Sequence, residues 1–280
     1  MHIEKNTILK RENKKSILID AFYSEDLNNQ PIIIFCHGYK GFKDWGAWNL
    51  MAKSIAKAGF CFIKFNFSHN GGTMENPIDF PDLEAFGNNN YTKELDDLNA
   101  VIDWAQAHFG TDSNVNTDKI ILVGHSRGGG IAIIKASEDP RITKLVTLAS
   151  VSDFGKRTYT TGNLEEWKKN GVKYVVNGRT KQKMPHYIQF YEDFKANEER
   201  LHIESAIKKV HIPILIIHGD MDTSVNLEEA KTLSKWQPKS ELGIIENADH
   251  VFNTKHPWSK EVLSEELQKI SDRIIEFSKS

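Results

Sequence analysis

Ile120-Ile121-Leu122-Val123-Gly124-His125-Ser126-Arg127-Gly128-Gly129-Gly130-Ile131-Ala132 is the stretch on which the reading of this chain turns. An apolar run, a Gly-x-Ser-x-Gly pentapeptide and a second run built on small residues read as strand, sharp turn and helix. In that setting the serine takes a strained backbone conformation, and its hydroxyl stands clear at the carboxyl end of the strand. The pentapeptide alone is weak evidence. At about 7% glycine it arises by chance in roughly one chain of this length in ten. The competing reading is a glycine-rich turn with an idle serine, so the flanking sequence has to decide between them.

Outward from the elbow, the apolar runs 31–36 and 61–67 have the length and continuity of strands buried on both faces of a parallel sheet. Between them Ala47, Leu50, Met51, Ser54, Ile55 and Ala58 recur at helical spacing, and Gly59 supplies the stop. Residues 91–109 carry Leu95, Leu98, Val101, Ile102 and Ala105 on one helical face and lead into the elbow strand. Further strands are expected at 145–148, 214–217 and 241–245, helices at 227–236 and 260–278, and a hairpin-like antiparallel start within 7–23. This alternation predicts an α/β fold, a mostly parallel sheet with helices on both faces that binds ligands beyond the strands' carboxyl ends. Residues 152–205 break the pattern and read as an insertion within one domain spanning 1–280. In it, 164–169 suggests a short helix, and 172–176 followed by Asn177-Gly178 signals a hairpin. Tyr187, Phe190, Tyr191 and Phe194 fall at helical spacing as a packing stripe. The insertion leaves the sheet after the strand that follows the elbow, so that stripe is expected to roof a pocket over Ser126.

Composition narrows the classes. The 280 residues, 39% hydrophobic and 26% charged, suit a soluble globular protein with one large core. A formal net charge of -2, with both signs interspersed, gives no electrostatic footprint for nucleic acid or an anionic membrane, and Lys168-Lys169 reads as a solvated face. No apolar run approaches the roughly 20 residues of a membrane span. The start, Met1-His2-Ile3-Glu4-Lys5-Asn6, lacks the pattern of an export signal, and a cytoplasmic location is expected. Cys36 and Cys61 sit in strand-like runs as small buried hydrophobes, and neither a disulfide nor a metal site is expected.

A serine hydroxyl needs a base within hydrogen-bond reach, and the base needs a carboxylate to fix its tautomer. Asp220 and Asp222 both lie in the turn after the 214–217 strand. His250 follows the 241–245 strand across a short polar loop. His37 and His218 end strands and read as local hydrogen-bonding groups, His125 as a variable elbow position, His256 as a surface residue and Asp249 as loop structure. Of the pair Asp96-Asp97, one carboxylate is expected in solvent and the other in a structural hydrogen bond. An oxyanion also requires donors. Backbone N–H groups of Arg127, next to the serine, and of Tyr39, after the 31–36 strand, are the candidates. The Arg127 side chain is a further candidate as an anion ligand.

His37-Gly38-Tyr39-Lys40-Gly41, Gly124-His125-Ser126-Arg127-Gly128-Gly129, His218-Gly219-Asp220-Met221-Asp222 and Asn247-Ala248-Asp249-His250 together resemble the α/β-hydrolase superfamily. The likeness is to its small cinnamoyl-esterase and serine-aminopeptidase-like branch, which is similar to dienelactone hydrolases, and it runs from about Pro31 to the carboxyl terminus. The resemblance implies a three-layer fold on a mostly parallel eight-stranded sheet, with residues 152–205 as a lid. It also selects a Ser126–His250–Asp222 triad with an oxyanion hole at Tyr39 and Arg127. The activity implied is hydrolysis of a carboxylic ester through an acyl-enzyme, with a small-molecule substrate and no cofactor. A peptidase of aminopeptidase or oligopeptidase type is the alternative, with Glu165, Glu166, Glu192 or Asp193 supplying charge for a substrate amine. A non-catalytic ligand-binding member of the fold is a further one. Acyl chain length and oligomeric state are left open.

Overall fold

In the computed structural model, which describes residues 1–159 and 162–280, the elbow strand lies in the middle of an eight-stranded sheet. The strands are β1 (His2–Arg11), β2 (Lys14–Tyr23), β3 (Gln30–Cys36), β4 (Cys61–Phe65), β5 (Val115–His125), β6 (Ile142–Leu148), β7 (Val172–Val176), β8 (Lys183–Tyr187), β9 (Ile214–Gly219) and β10 (Glu241–Ile245). All but β7 and β8 belong to the main sheet, in the order β1-β2-β4-β3-β5-β6-β9-β10. Strand β2 is antiparallel to both its neighbours and every other pair in this sheet is parallel. The helices are α1 (Trp48–Lys57), α2 (Leu83–Gly87), α3 (Tyr91–Phe109), α4 (Arg127–Glu138), α5 (Phe154–Tyr159), α6 (Leu164–Asn170), α7 (Gln189–Ala196), α8 (Ile203–Lys209), α9 (Leu227–Trp236) and α10 (Glu265–Lys279).

Strand alternation builds two cores, one on each face. Ile32, Ile34 and Cys36 of β3 and Ile120 and Leu122 of β5 pack with residues of α3, α4, α8 and α9. Ile33, Phe35, Ile121 and Val123 face the other way, against Trp48, Met51 and Ile55 of α1 and Leu267, Ile270 and Ile274 of α10. Because both faces are covered, these strands read as unbroken apolar runs. Cys36 and Cys61 are buried, as expected of small apolar side chains in these strands. Among the described residues no helix is long and apolar enough to cross a membrane.

Two expectations are revised, and one element is new. Helix α10 begins at Glu265, later than residue 260. The Ser264 side chain caps it by accepting from the Leu267 N–H, and Glu265 and Glu266 suit the positive end of the helix. The connection between β7 and β8 is the loop 177–182 and not a two-residue Asn-Gly turn. Asn177 is buried, and its side chain accepts from the Arg179 and Thr180 N–H groups, which opens the turn into a wider loop. The short helix α2 has no counterpart in the sequence reading; Asp82 caps it by accepting from the Ala85 N–H at 2.8 Å.

Candidate active site

Strand β5 ends at His125 and α4 begins at Arg127, which leaves Ser126 alone on the corner with φ 56° and ψ −120°. A positive φ on a non-glycine residue costs on the order of 1–3 kcal/mol and persists only where the surroundings impose it. Here the Ser126 N–H donates to Leu148 O at 2.9 Å, and its carbonyl accepts from the Gly129 N–H at 3.0 Å. The flanking glycines are steric necessities. A Cβ on Gly124 would lie 2.3 Å from Gly128 O, and one on Gly128 would lie 2.3 Å from Cys36 O.

The turns after β9 and β10 are pressed together: the Met221 N–H donates to Ala248 O at 3.0 Å, and a Cβ on Gly219 would meet that same oxygen at 2.2 Å. This contact sets Asp222 against His250. Asp222 Oδ2 lies 2.7 Å from His250 Nδ1 and 3.3 Å from His218 Nε2, while Oδ1 accepts the Ser224 and Val225 N–H groups at 2.8 and 2.9 Å. Burial raises the Asp222 pKa, but hydrogen bonds from His218 and His250, the His250 charge and the Val225 N–H outweigh it and hold the carboxyl well below its ordinary range. Asp220, the other acid of the turn, is exposed.

His125 is a buttress. Its Nε2 donates to His250 O at 2.9 Å, and burial together with the nearby His250 lowers its pKa to about 3, so it is neutral. His37 similarly braces the loop 37–41, donating from Nδ1 to Gly38 O at 2.9 Å and accepting the Phe67 N–H at 3.2 Å. Its pKa is lowered to about 4, chiefly by burial. In both rings the tautomer follows from the carbonyl being able only to accept.

That loop meets the elbow closely, since a Cβ on Gly38 would sit 2.8 Å from Ser126 Cβ. Arg127 is the first residue of α4, so its N–H has no partner one turn back. Among the described residues no acceptor takes the Tyr39 N–H. Ser126 and His250 line one cleft of about 240 Å³ together with Tyr39, Trp45, Trp48 and, from the β7–β8 loop, Asn177 and Arg179. No hydrogen bond within 3.5 Å joins the Ser126 hydroxyl to His250. Such contacts are often loose without substrate and tighten in the complex.

The remaining candidates separate cleanly. Glu165, Glu166 and Glu192 are exposed, Asp193 accepts from the Thr92 hydroxyl at 2.6 Å, and none of the four lines the cleft. The Arg127 guanidinium lies 3.4 Å from Glu94 Oε1 and over the Tyr39 ring, 4.5 Å from its centroid. Asp97 is buried and accepts the Ser68 N–H, whereas Asp96 is half exposed, the division expected of that pair. Asp249 accepts the Val251 and Asn253 N–H groups within its loop. His256 is half-buried and not a free surface residue: its Nδ1 accepts the Gly46 N–H at 3.0 Å, and its ring packs on Phe42 and Trp45.

Two features escaped the sequence reading. Lys43, Lys64 and Asp20 are fully buried and form, with Asp44, a ring of charges with N–O distances of 2.6 to 2.9 Å; Lys43 and Asp44 follow the loop 37–41 closely in the chain. Glu94 is buried beside Arg127. A signal for Glu94 existed, because it falls in phase with Tyr91, Leu95 and Leu98 on the apolar stripe of α3.

Comparison with known proteins places this architecture. A model of the Esterase family, described as "Putative esterase", matches residues 8–271. No curated protein sequence matches the chain. Est1E from Butyrivibrio proteoclasticus is similar in structure, at 17% identity and a TM-score of 0.71 over 98% of this chain and 97% of that one. The esterase domain of a Rhodothermus marinus protein is similar at 16% identity and a TM-score of 0.66, over 99% and 98%. The α/β hydrolase GrgF from Penicillium sp. sh18 is similar at 14% identity and a TM-score of 0.70, over 100% and 98%. At these identities the likeness to solved structures is one of fold. With its sheet order and the family match over nearly its whole length, the chain is an α/β hydrolase by fold and belongs to the Esterase family.

Proposed function

We propose that the protein is a serine hydrolase of carboxylic esters, with Ser126 as nucleophile, His250 as general base and then general acid, and Asp222 orienting His250. The observation that carries this reading is the 2.7 Å Asp222–His250 pair opening onto the same cleft as the strained Ser126 corner. Asp222 accepts a hydrogen bond from His250 Nδ1–H, which fixes the tautomer and leaves the Nε2 lone pair free to take the Ser126 proton as Oγ attacks the carbonyl carbon. The oxyanion accepts hydrogen bonds from the Tyr39 and Arg127 N–H groups. Collapse of the tetrahedral intermediate breaks the bond to the leaving oxygen, which takes the proton from His250 Nε2, and an acyl-Ser126 ester remains. Water activated by His250 then releases the acid and restores Ser126. No cofactor takes part in this cycle. The chain acts as one domain, with residues 152–205 as a lid whose hairpin loop supplies Asn177 and Arg179 to the cleft.

Turnover of short p-nitrophenyl esters tests the reading, with Ser126→Ala and His250→Gln expected to lower kcat by about 10³-fold or more. Aminoacyl amides turned over faster than esters would replace the ester reading with a peptidase.

A further inference from the structure

A small recess of about 10 Å³ shares the loop 37–41 with the Ser126 cleft. That is room for about one water-sized group. Asn89, Glu94 of α3, Arg127 of α4, and His186 and Phe190 from the segment between β6 and β9 line it. Its polar lining is unbalanced. Glu94 is only 3% exposed; Oε1 accepts from Asn89 Nδ2 at 2.7 Å and from Arg127 Nη1 at 3.4 Å, while Oε2 receives no hydrogen bond. Asn89 Oδ1 is buried and equally without a donor. Arg127 gives a single N–H to Glu94 and is otherwise enclosed by the rings of Tyr39, Tyr91 and Phe190, 4.5 to 5.4 Å away. Buried polar atoms in native proteins are nearly always paired. Two open acceptors, a cation and the His186 Nδ1, which is also buried without a partner, surround one recess and therefore call for a ligand group that both donates and accepts.

Charge decides which group. An ammonium would meet Arg127, and a carboxylate would meet Glu94. A neutral hydroxyl satisfies both, donating to Glu94 Oε2 and accepting from Arg127. The side of the scissile bond follows from His250, which must reach the leaving oxygen to protonate it. His250 lines the cleft and not the recess, so the leaving group lies in the cleft and the acyl group runs towards the recess.

We infer that this recess is the polar end of the acyl pocket, and that the preferred substrates are esters of neutral, hydroxyl-bearing acids read by Glu94, Asn89 and Arg127. The inference rests on the ester-hydrolase reading and names its substrate class. The peptidase alternative loses support, since the buried Glu94 carboxylate is already beside the Arg127 guanidinium.

The test compares p-nitrophenyl esters of hydroxyalkanoic acids with partners carrying a methyl group in place of the hydroxyl, across a series of chain lengths. At the matching length the hydroxylated ester is expected to be favoured at least about tenfold in kcat/KM. Glu94→Gln is expected to bring that ratio close to one. Its side-chain oxygen has to remain with the Asn89 and Arg127 donors, so its NH₂ replaces Oε2 and meets the hydroxyl with a donor. Asn89→Ala provides the same comparison should Glu94→Gln fold poorly by circular dichroism. Equal rates for both partners at every length would overturn the inference and leave ester hydrolysis standing, and a preference that survives both substitutions would also overturn it. Failure to hydrolyse any ester would overturn the ester reading itself.

Discussion

Replacing Asp222 by asparagine should trap His250 in the wrong tautomer while leaving the loop intact. Oδ1 accepts two backbone N–H groups, from Ser224 and Val225, at 2.8 and 2.9 Å. An asparagine can keep those bonds only by placing its own oxygen there, because its NH₂ would face two donors. The NH₂ then occupies the Oδ2 position, 2.7 Å from His250 Nδ1 and 3.3 Å from His218 Nε2. His218 Nε2 already donates to Val225 O at 2.9 Å, so His250 is the ring that must adapt. Its Nδ1 becomes the acceptor, the proton moves to Nε2, and the nitrogen that should take the Ser126 proton no longer can. A wrong-tautomer change of this kind lowers kcat by about 10³–10⁴-fold, or about 4–5.5 kcal/mol of transition-state stabilisation. Steady-state hydrolysis of a p-nitrophenyl ester measures it, with circular dichroism and a urea midpoint to establish that the fold persists. A folded Asp222→Asn retaining more than about a tenth of the wild-type kcat would refute the assignment of Asp222 as the orienting acid.

Four other perturbations follow from the same geometry. Lys64→Met leaves Asp20 and Asp44 with Lys43 as their only cation in the buried charge ring, and a cost of about 3–5 kcal/mol is expected from urea unfolding. A loss below about 1 kcal/mol would contradict the account of that ring. Gly128→Ala sets a Cβ 2.3 Å from Cys36 O and 2.6 Å from His37 O; overpacking of about 1–3 kcal/mol and slower labelling of Ser126 are expected. Stability should fall as pH drops from about 6.5 towards 4. Over that range unfolded His37 and His125 bind protons, whereas burial keeps the folded rings neutral down to about 4 and about 3. Each contributes at most about 1.4 kcal/mol per pH unit. A urea midpoint that does not fall between pH 7 and pH 4.5 would count against buried neutral imidazoles, and His125→Gln should show the shallower slope.

The parts of this molecule legible in the sequence are those whose physics is local. The runs at 31–36 and 120–123 announce strands covered on both faces because each residue is apolar, and the elbow announces itself because Gly124 and Gly128 leave no room for side chains. Asp222 and His250 stood out as candidates because each follows its own strand, though position alone left Asp220 beside Asp222 and only the resemblance chose between them. What the sequence hid depends on partners far along the chain. Lys64 looks like an ordinary charged residue until Asp20 and Lys43 close around it. Glu94 lies on the apolar stripe of α3, yet only the approach of Arg127 and Asn89 makes burial of its carboxylate tolerable. The start of β5 was missed for a related reason: residues 115–119 are mostly polar, and their pairing with β3 is interrupted by a register shift between Pro31 and Ile32.

Covalent capture of the nucleophile tests the central claim most directly. Incubation of the folded protein with a fluorophosphonate, followed by digestion and mass spectrometry, should place one phosphonyl adduct on Ser126. Ser126→Ala should abolish it and His250→Gln should slow it strongly. An unlabelled native protein, or an adduct on another serine with Ser126 unmodified, would contradict the account.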